Sequence, residues 1–150
     1  MKNTEVYFNK PVYVGQAILD LSKTLMFDFH YNYIRKKYGN KAELLFTDTD
    51  SLIYQIKTKD FYKDINPDVK DKFDTSDYPP NHKSEIPTGV NKKVIGMFKD
   101  EVAGTQITHF VGLRPKLYSF KIEEDREVRK CKGIKKNVIK KKLDFDDFDF

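Results

Sequence analysis

The sequence predicts an α+β fold, in which an antiparallel sheet is covered on one face by a helix. Three observations lead to this fold class. Apolar residues recur at steps of three and four along a segment near the start of the chain, which is the pattern of an amphipathic helix. Two short apolar runs then flank a four-residue polar turn, as in a hairpin. Further strand-like runs follow a long polar segment, so helices and strands do not alternate as they do in an α/β sheet.

The first predicted element is a helix over residues 15–37. Its apolar stripe comprises Ile18, Leu21, Leu25, Phe29 and Tyr33. Gly39 follows the last basic turn and is expected to end the helix, since glycine readily adopts the left-handed conformation found there. His30 lies inside the helix, and we interpret it as a packed or half-exposed side chain rather than a ligand.

The next predicted elements are two strands, residues 44–46 and 51–56, joined by the sequence Thr-Asp-Thr-Asp at residues 47–50. Two aspartates one residue apart repel each other unless a cation lies between them. The turn is therefore a candidate metal site. The alternative is an Asp-rich turn that binds no metal.

Three classes of metal site contain Asp-x-Asp, and the neighbouring residues separate them. A calcium-binding EF-hand loop is excluded, because Leu52 and Ile53 stand where it needs an oxygen ligand and a glycine. A haloacid-dehalogenase-type phosphatase has Thr or Val where Leu52 stands, and its sheet alternates with helices; it is kept as an alternative. The third class is two-metal nucleotidyl transfer, in which carboxylates on a rigid hairpin hold two divalent ions.

The rest of the chain is predicted to be a long surface loop followed by strands. Strands are predicted over residues 94–98, 117–122 and 128–134, a helical turn over 61–65, a surface loop over 66–91, and a basic helix through residue 142, with 104–111 ambiguous. The acids of the loop region, Asp64, Asp68, Asp71, Asp74 and Asp77, are interpreted as solvated side chains rather than as a metal cluster.

Composition favours an anionic partner. The chain has 28 Lys and Arg against 23 Asp and Glu, a net charge of +5. Residues 126–142 contain nine of these cations and a single acid, Glu127. The single cysteine, Cys131, excludes an intramolecular disulfide and is interpreted as structural. No apolar run approaches the roughly 20 residues that span a bilayer, so no membrane partner is expected.

Two motifs give the chain a resemblance to a known family. Residues 46–51, Phe-Thr-Asp-Thr-Asp-Ser, resemble motif C of family B DNA polymerases, Tyr-x-Asp-Thr-Asp-Ser, with Phe46 in place of Tyr. Lys116-Leu117-Tyr118 resembles the family's Lys-x-Tyr motif, which holds the primer strand near its terminus. Alternation along a strand predicts that Lys116 and Tyr118 share one face and that Leu117 points to the core. The order and separation of the two motifs also match. The likeness is closest to protein-primed polymerases of the kind carried by Maverick/Polinton transposons and related viruses, and it covers nearly the whole chain.

The resemblance implies how the chain is divided and what it lacks. Residues 1–122 are expected to form the C-terminal part of a polymerase palm, with a long surface loop at about 66–91, and residues 123–150 the transition from palm to thumb. Motif A, Asp-x-x-Ser-Leu-Tyr-Pro, is absent, as are motif B and the exonuclease motifs. The chain is therefore expected to be a fragment whose activity belongs to a longer chain or to a second polypeptide.

The resemblance also implies the site residues and the partners. Asp50 would be the more direct ligand and Asp48 the supporting ligand of two Mg²⁺ ions, for which Mn²⁺ can substitute, with Asp100 and Glu101 as supporting acids. Primer or DNA contacts would come from Lys116, Tyr118, Thr49, Ser51, Lys132, Lys135 and Lys136. Partners would be a DNA primer–template, deoxynucleoside triphosphates and a terminal priming protein, inside the cell in the nucleus or at a viral replication site. The alternative is a nucleic-acid-binding remnant without catalysis.

Overall fold

The computed structural model describes residues 10–123, 126–135, 137, 139 and 145–147. Helices and antiparallel strands are both present, so the predicted α+β class is confirmed. The chain divides into two compact units, Met1–Lys57 and Thr58–Phe150. The predicted boundary between palm and thumb near residue 122 stays a prediction. None of the helices in the described part of the chain is long and apolar enough to cross a membrane.

The first unit begins with the predicted helix, which has three parts. Helix α1, Val12–Asp28, continues into a π-helical segment, Phe29–Arg35, and then into α2, Lys36–Tyr38. Gly39 ends the helix, as predicted, but with φ +55° and ψ −126° it does not adopt the left-handed helical conformation expected for it. The π-helical segment was not predicted, because a wider turn leaves no mark on the apolar spacing of so short a stretch.

Burial in this helix is concentrated near its C-terminal end. Phe29 and Ile34 are buried, and the ring of Phe29 lies 5.2 Å from that of Tyr33. Ile18 and Leu21, at the start of the predicted stripe, are 63% and 71% exposed. The buried part of the apolar stripe is therefore its C-terminal part, which immediately precedes the hairpin in the sequence.

The predicted hairpin follows. Strands β1, Ala42–Asp48, and β2, Ser51–Ile56, are antiparallel, with Asp48 opposite Ser51 at the turn. The first strand is longer than predicted, and its register shifts between Leu44 and Phe46, which marks a β-bulge. Such a bulge increases the local twist of a hairpin and re-aims the side chains beyond it.

A polar contact between His30 and Tyr54 connects the helix to the hairpin. The Nδ1 atom of His30 lies 2.9 Å from the hydroxyl of Tyr54 on β2, and the two rings are nearly parallel at 5.8 Å between centroids. Burial raises the pKa of Tyr54 to about 12, so the phenol keeps its proton at neutral pH. The hydroxyl can donate to Nδ1 in the tautomer that carries its proton on Nε2. His30 is a half-buried, packed side chain, as predicted.

The second unit corrects the prediction of a surface loop over residues 66–91. The segment contains a 3₁₀ turn, Asn66–Asp68, helix α4, Val69–Lys72, and strand β3, Phe73–Asp74. Buried side chains within it are Val69, Phe73, Asp74, Thr75, Tyr78, His82, Ser84 and Ile86. The prediction was wrong because the polar residues satisfy main-chain groups inside the packed segment instead of meeting water.

Asn91 and Thr75 illustrate this internal bonding. The side-chain amide of Asn91 donates to the carbonyl oxygens of Lys70 and Phe73, each at 2.9 Å. The hydroxyl of Thr75, which is fully buried, donates to the carbonyl oxygen of Pro87 at 2.8 Å. Polar composition in this segment therefore indicates an internally bonded fold and not a solvated loop.

Asp74 was interpreted, with four other acids, as a solvated side chain, and for Asp74 that interpretation was wrong. Asp74 is 7% exposed, and its carboxylate accepts hydrogen bonds from the main-chain N–H groups of Ser76 and Lys93. Burial alone raises the pKa of Asp74, but the hydrogen bonds from Ser76 and Lys93 outweigh it and lower that pKa below its usual value. Asp74 is thus a structural acid that holds the turn after β3.

Helix α3, Phe61–Ile65, is present as predicted and begins at the N-cap Asp60. The Asp60 carboxylate accepts from the main-chain N–H groups of Tyr62 and Lys63, and also from the hydroxyl of Ser84. A helix of five residues is too short to be stable alone. The cap and the bond to Ser84 therefore hold it in the second unit.

The strand predicted over residues 94–98 was largely wrong. Only β4, Phe98–Lys99, is a strand, and it pairs in parallel with β3. Lys93 and Gly96 have φ of +59° and +87°, and Ile95 is 98% exposed. Left-handed residues at these two positions break the extended conformation that the apolar residues had suggested.

A three-stranded antiparallel sheet completes the second unit. Its strands are β5, Ile107–Arg114, β6, Leu117–Ile122, and β7, Glu127–Cys131, in the order β5-β6-β7. Strand β6 is present over the predicted residues, and β7 is shorter than predicted. Residues 107–111, which belong to the stretch described as ambiguous, form the start of β5. Leu117 packs against Cys131 and Ile139, so its predicted orientation toward the core is confirmed. Most of the predicted basic helix lies outside the described residues.

Candidate functional site

Asp48 and Asp50 lie at the tip of the β1–β2 hairpin, which we call the acid hairpin (residues 46–53). Asp48 is the last residue of β1, and Asp50 is the second residue of the two-residue turn. The N–H of Asp50 donates to the carbonyl oxygen of Asp48 at 2.7 Å, and the hydroxyl of Ser51 donates to the same oxygen at 3.1 Å. Asp50 is exposed and Asp48 is half-buried.

Thr49 gives this turn an unusual conformation. Its φ is +57°, which is uncommon for a β-branched residue and costs about 1–2 kcal/mol relative to a right-handed conformation. Its hydroxyl lies 3.3 Å from Oδ1 of Asp48, to which it donates. The turn therefore contains a strained residue whose hydroxyl donates to one carboxylate. Strained backbone conformations are more frequent at functional sites than elsewhere.

The donor set of the acid hairpin suits a hard divalent cation in part. Magnesium is commonly bound by one or two carboxylates together with phosphate oxygens and water. The hairpin supplies two carboxylates, and the described residues contain no group of three or more His, Cys, Asp or Glu side chains arranged for a metal. An ion at this tip would therefore take its remaining ligands from water, a substrate or another carboxylate.

The Lys-x-Tyr residues lie at one end of the three-stranded sheet, but not as predicted. Lys116 was expected to share a strand face with Tyr118. It lies instead in the two-residue turn between β5 and β6, with φ +64°, because Arg114 pairs with Leu117 and leaves only Pro115 and Lys116 to close the hairpin. That prediction was wrong: strand alternation does not extend into the turn.

Tyr118 occupies one face of the sheet beside two other rings. It stacks on Phe120 with an interplanar angle of 11° and lies 6.2 Å from the ring of Phe110. The register places Tyr118 opposite Gly112 on β5 and Lys130 on β7. The half-buried phenol thus has a glycine on one side and a cation on the other.

Cations collect at this end of the sheet, which we call the basic sheet end (Arg114, Lys116, Lys130 and Lys132). The N–H of Lys132 donates to the carbonyl oxygen of Lys116 at 3.0 Å, so the two residues are neighbours. Lys116 and Lys132 were predicted from the sequence, whereas Arg114 and Lys130 were not. The strand register places Lys130 opposite Tyr118 and Arg114 opposite Leu117.

The other predicted site residues lie in different parts of the chain. Thr49 and Ser51 belong to the acid hairpin. Lys135 is exposed beyond β7, and Lys136 lies outside the described residues. Glu101 is exposed in the turn that follows β4.

Asp100 has a clear structural role. Its Oδ2 atom accepts from the hydroxyl of Tyr78 at 3.2 Å and from the N–H of Gly104 at 3.0 Å, and its Oδ1 atom accepts from the N–H of Val102 at 2.9 Å. The hydroxyl of Tyr62 lies 3.2 Å from Oδ2 and donates to the carbonyl oxygen of Thr105 at 2.7 Å. The supporting role predicted for Asp100 and Glu101 beside a metal stays a prediction.

The two buried tyrosines make the second unit sensitive to alkali. Burial, together with the neighbouring Asp100 carboxylate, raises the pKa values of Tyr62 and Tyr78 well above the usual value of about 10. Above pH 10 the unfolded chain releases these protons and the folded unit retains them. The stabilisation that these tyrosines contribute should therefore be fully present below pH 10. Above pH 10 the free energy of unfolding should fall by about 1.4 kcal/mol per pH unit for each tyrosine.

Denaturant unfolding between pH 9 and 11.5 measures this slope. Tyr78→Phe should reduce it by about 1.4 kcal/mol per pH unit, because one titrating group is removed. Tyr13, whose ring is 78% exposed, provides the matched control Tyr13→Phe, which should leave the slope unchanged. Equal slopes in all three proteins would show that the buried phenols do not govern alkaline unfolding.

The acid hairpin carries carboxylate oxygens, which are suitable ligands for a divalent cation. The basic sheet end carries cationic side chains, which are suitable ligands for phosphate. Comparison of the chain with protein-family models, with curated proteins and with solved structures gave no significant match.

Proposed function

We propose that the chain is part of a family B DNA polymerase of the protein-primed type, and that it contributes the motif C carboxylates and the Lys-x-Tyr motif to two-metal nucleotidyl transfer. The observation that carries the proposal is the acid hairpin. Asp48 and Asp50 lie at the tip of a two-residue turn, and Phe46 and Ser51 of the same motif lie on the strands that support it. In this proposal the first unit and strands β5 and β6 are parts of a palm, and residues 123–150, which include β7, lead into a thumb.

The two aspartates take different roles. Asp50 is the more direct metal ligand, because its side chain is exposed at the tip. Asp48 supports it from a half-buried position in which the hydroxyl of Thr49 donates to its carboxylate. Two Mg²⁺ ions, or Mn²⁺ in their place, activate a primer 3′-hydroxyl and neutralise charge on the leaving pyrophosphate when bound. The remaining carboxylate belongs to a motif A that this sequence does not contain.

The primer strand is assigned to the second unit. Lys116 supplies a cation and Tyr118 a half-buried phenol, a pair suited to the phosphate and sugar of a primer end. Thr49, Ser51, Lys132, Lys135 and Lys136 are assigned further DNA contacts. The substrates are deoxynucleoside triphosphates on a primer–template, with a terminal protein as the primer.

Manganese binding by the chain itself tests the metal assignment. Mn²⁺ at the acid hairpin should broaden the amide NMR signals of Thr49, Asp50 and Ser51 before those of other residues, and excess Mg²⁺ should reverse the broadening. The double variant Asp48→Asn/Asp50→Asn should lose this selective effect, because it removes both carboxylates.

Asp71→Asn is the control for a surface aspartate, since Asp71 is exposed on α4; it removes one negative charge, and the double variant removes two. It should leave the broadening at the hairpin intact. Broadening that is spread over the chain, or that survives the double substitution, would refute a metal site at the hairpin and with it the polymerase assignment.

A second candidate function is nucleic-acid binding without catalysis. The observation that favours it is the basic sheet end, which is complete within the second unit and needs no metal. A chain that binds DNA but shows no selective Mn²⁺ effect at the acid hairpin would have this function and not the first.

A further inference from the structure

Helix α1 has an apolar surface that remains in contact with solvent, which we call the uncovered stripe (Val14, Ile18, Leu21 and Leu25). These four side chains are 42%, 63%, 71% and 40% exposed. Phe29 continues the same side of the helix and is buried. The apolar surface is therefore packed at one end and open over the three turns before it. Contiguous exposed apolar surfaces of this kind mark sites of interaction.

The spacing of the uncovered stripe indicates that its partner is a helix. Its residues recur at steps of four, three and four, as the a and d positions of a coiled coil do, and those positions face a second helix. The residues beside the stripe are small and uncharged, which lets a second helix approach closely. They are Gly15, Ala17, Ser22 and Thr24.

The charges of α1 lie away from the uncovered stripe. Between residues 11 and 27 the only charged residues are Asp20 and Lys23. At about 100° per residue, they project roughly 130° and 170° from the centre of the stripe. Two copies of the stripe can therefore meet without bringing like charges together, so a second copy of this chain is a compatible partner.

Charges beyond the stripe favour an antiparallel pair of helices. In an antiparallel pair centred between Ile18 and Leu21, Asp28 of each copy lies near Lys10 of the other. In a parallel pair the two Asp28 carboxylates would meet, and so would the basic ends formed by residues 35–37. Because like charges disfavour a complex and opposite charges favour it, the antiparallel arrangement has the lower free energy.

The size of the contact sets its expected strength. Residues 12–27 form about 24 Å of helix, and packed helices lie about 8–10 Å apart. A strip of these dimensions buries roughly 400–500 Å² per copy, or roughly 800–1,000 Å² in a pair, which is at the lower end of specific interfaces. The pair is therefore expected to form at high micromolar concentration and to dissociate on dilution.

We propose that the uncovered stripe is a homodimer interface, at which two copies of the chain pair through antiparallel α1 helices. Val14 of one copy packs against Leu25 of the other. Ile18 packs against Leu21 in the same way, and twofold symmetry repeats both contacts. Neither a metal nor a nucleic acid takes part, so this inference is independent of the proposed polymerase chemistry.

Sedimentation equilibrium of the full chain in a buffer with EDTA, between about 10 and 500 µM, tests the association. The apparent mass should rise with concentration from that of a monomer towards that of a dimer. Ile18→Lys/Leu21→Lys should stay at the monomer mass throughout, because it would place four unpaired ammonium groups in the contact. Both residues are exposed, so the circular dichroism of this variant should match that of the parent.

Val12→Lys/Phe27→Lys is the matched control. Val12 and Phe27 are 65% and 62% exposed on the same helix. They project roughly 150° from the centre of the uncovered stripe. The control adds the same charge at equally exposed apolar positions and should leave the association unchanged.

Cysteine cross-linking tests the orientation. Chains with Val14→Cys and chains with Leu25→Cys are mixed in equal amounts and oxidised. They should form mainly the mixed disulfide, because these two positions face each other only in the antiparallel pair. The unsubstituted chain, whose single cysteine Cys131 is buried, is the blank.

The inference is overturned by any of three results. The first is a monomer mass at every concentration, as expected if a different polypeptide covers the stripe. The second is an equal loss of association in the control at Val12 and Phe27, and the third is cross-linking mainly between like positions. The Mn²⁺ experiment can be carried out on the monomeric variant Ile18→Lys/Leu21→Lys, so failure of this inference is distinguishable from failure of the proposed function.

Discussion

In a polymerase that also carries motif A, Asp50→Asn is expected to reduce nucleotide incorporation by at least about 100-fold at saturating Mg²⁺. The substitution keeps the size of the side chain and removes one negative charge from the proposed binding site of two divalent ions. Metal ions contribute several kcal/mol of charge stabilisation in the transition state, and each 1.36 kcal/mol corresponds to a factor of ten in rate. Asp50 is exposed at the hairpin tip, so the substitution leaves no buried group unpaired.

Single-turnover incorporation of one nucleotide onto a labelled primer–template measures this effect. Asp71→Asn serves again as the control of equal charge and should retain the rate. Incorporation by Asp50→Asn within a few-fold of the unsubstituted enzyme would rule out Asp50 as a metal ligand. Circular dichroism of both variants should match that of the parent, because neither residue is buried.

Gly104→Ala is expected to destabilise the second unit by about 2–5 kcal/mol. Gly104 has φ +86°, where an L-residue costs about 1–2 kcal/mol. Its added Cβ would also lie 2.8 and 2.9 Å from ring atoms of His82. Forcing an extra carbon into a packed site typically costs a further 1–3 kcal/mol.

The His82 ring has little freedom to move aside. Its Nε2 atom lies 2.8 Å from the carbonyl oxygen of Gly104, to which it donates, and its Nδ1 atom accepts from the N–H of Ser84 at 3.2 Å. These two bonds define a neutral tautomer with the proton on Nε2. Any rotation that relieves the contact with the new methyl group breaks at least one of them in a buried site.

Chemical denaturation with Gly89→Ala as the control measures the contribution of the contact. Gly89 lies in the same unit with φ +75°, and nothing lies within 4 Å of a Cβ placed there. Its substitution should cost only the conformational penalty of about 1–2 kcal/mol. Equal destabilisation by the two substitutions would mean that the contact with His82 carries no cost.

Structural features that depend on residues close together in the sequence could be predicted from it. The long helix and its end at Gly39 follow from apolar spacing and from the glycine conformation. The acid hairpin follows from two apolar runs around Thr-Asp-Thr-Asp. In each case the residues that decide the structure lie within a few positions of each other, so their pattern is visible along the chain.

Features set by distant partners could not be predicted in this way. Residues 66–91 resemble a solvated loop until the bonds of Asn91 and Thr75 to main-chain groups are known. Asp100 resembles a strand-end acid until the hydroxyl of Tyr78, 22 positions earlier, is found on its carboxylate. Arg114 and Lys130 join the basic sheet end only through the register of β5, β6 and β7. No local pattern records relations between residues so far apart along the chain.

The left-handed turn residues have an evolutionary consequence. Thr49 in the acid hairpin and Lys116 in the basic sheet end both occupy two-residue hairpin turns with positive φ, a conformation that glycine adopts at lower free energy. Glycine would lack the hydroxyl that reaches Asp48 and the ammonium group of Lys116. Selection for thermal robustness alone would favour glycine at both positions, whereas selection for ligand binding would oppose it. Under the proposed function, directed evolution for heat tolerance would therefore trade binding for stability at these two turns.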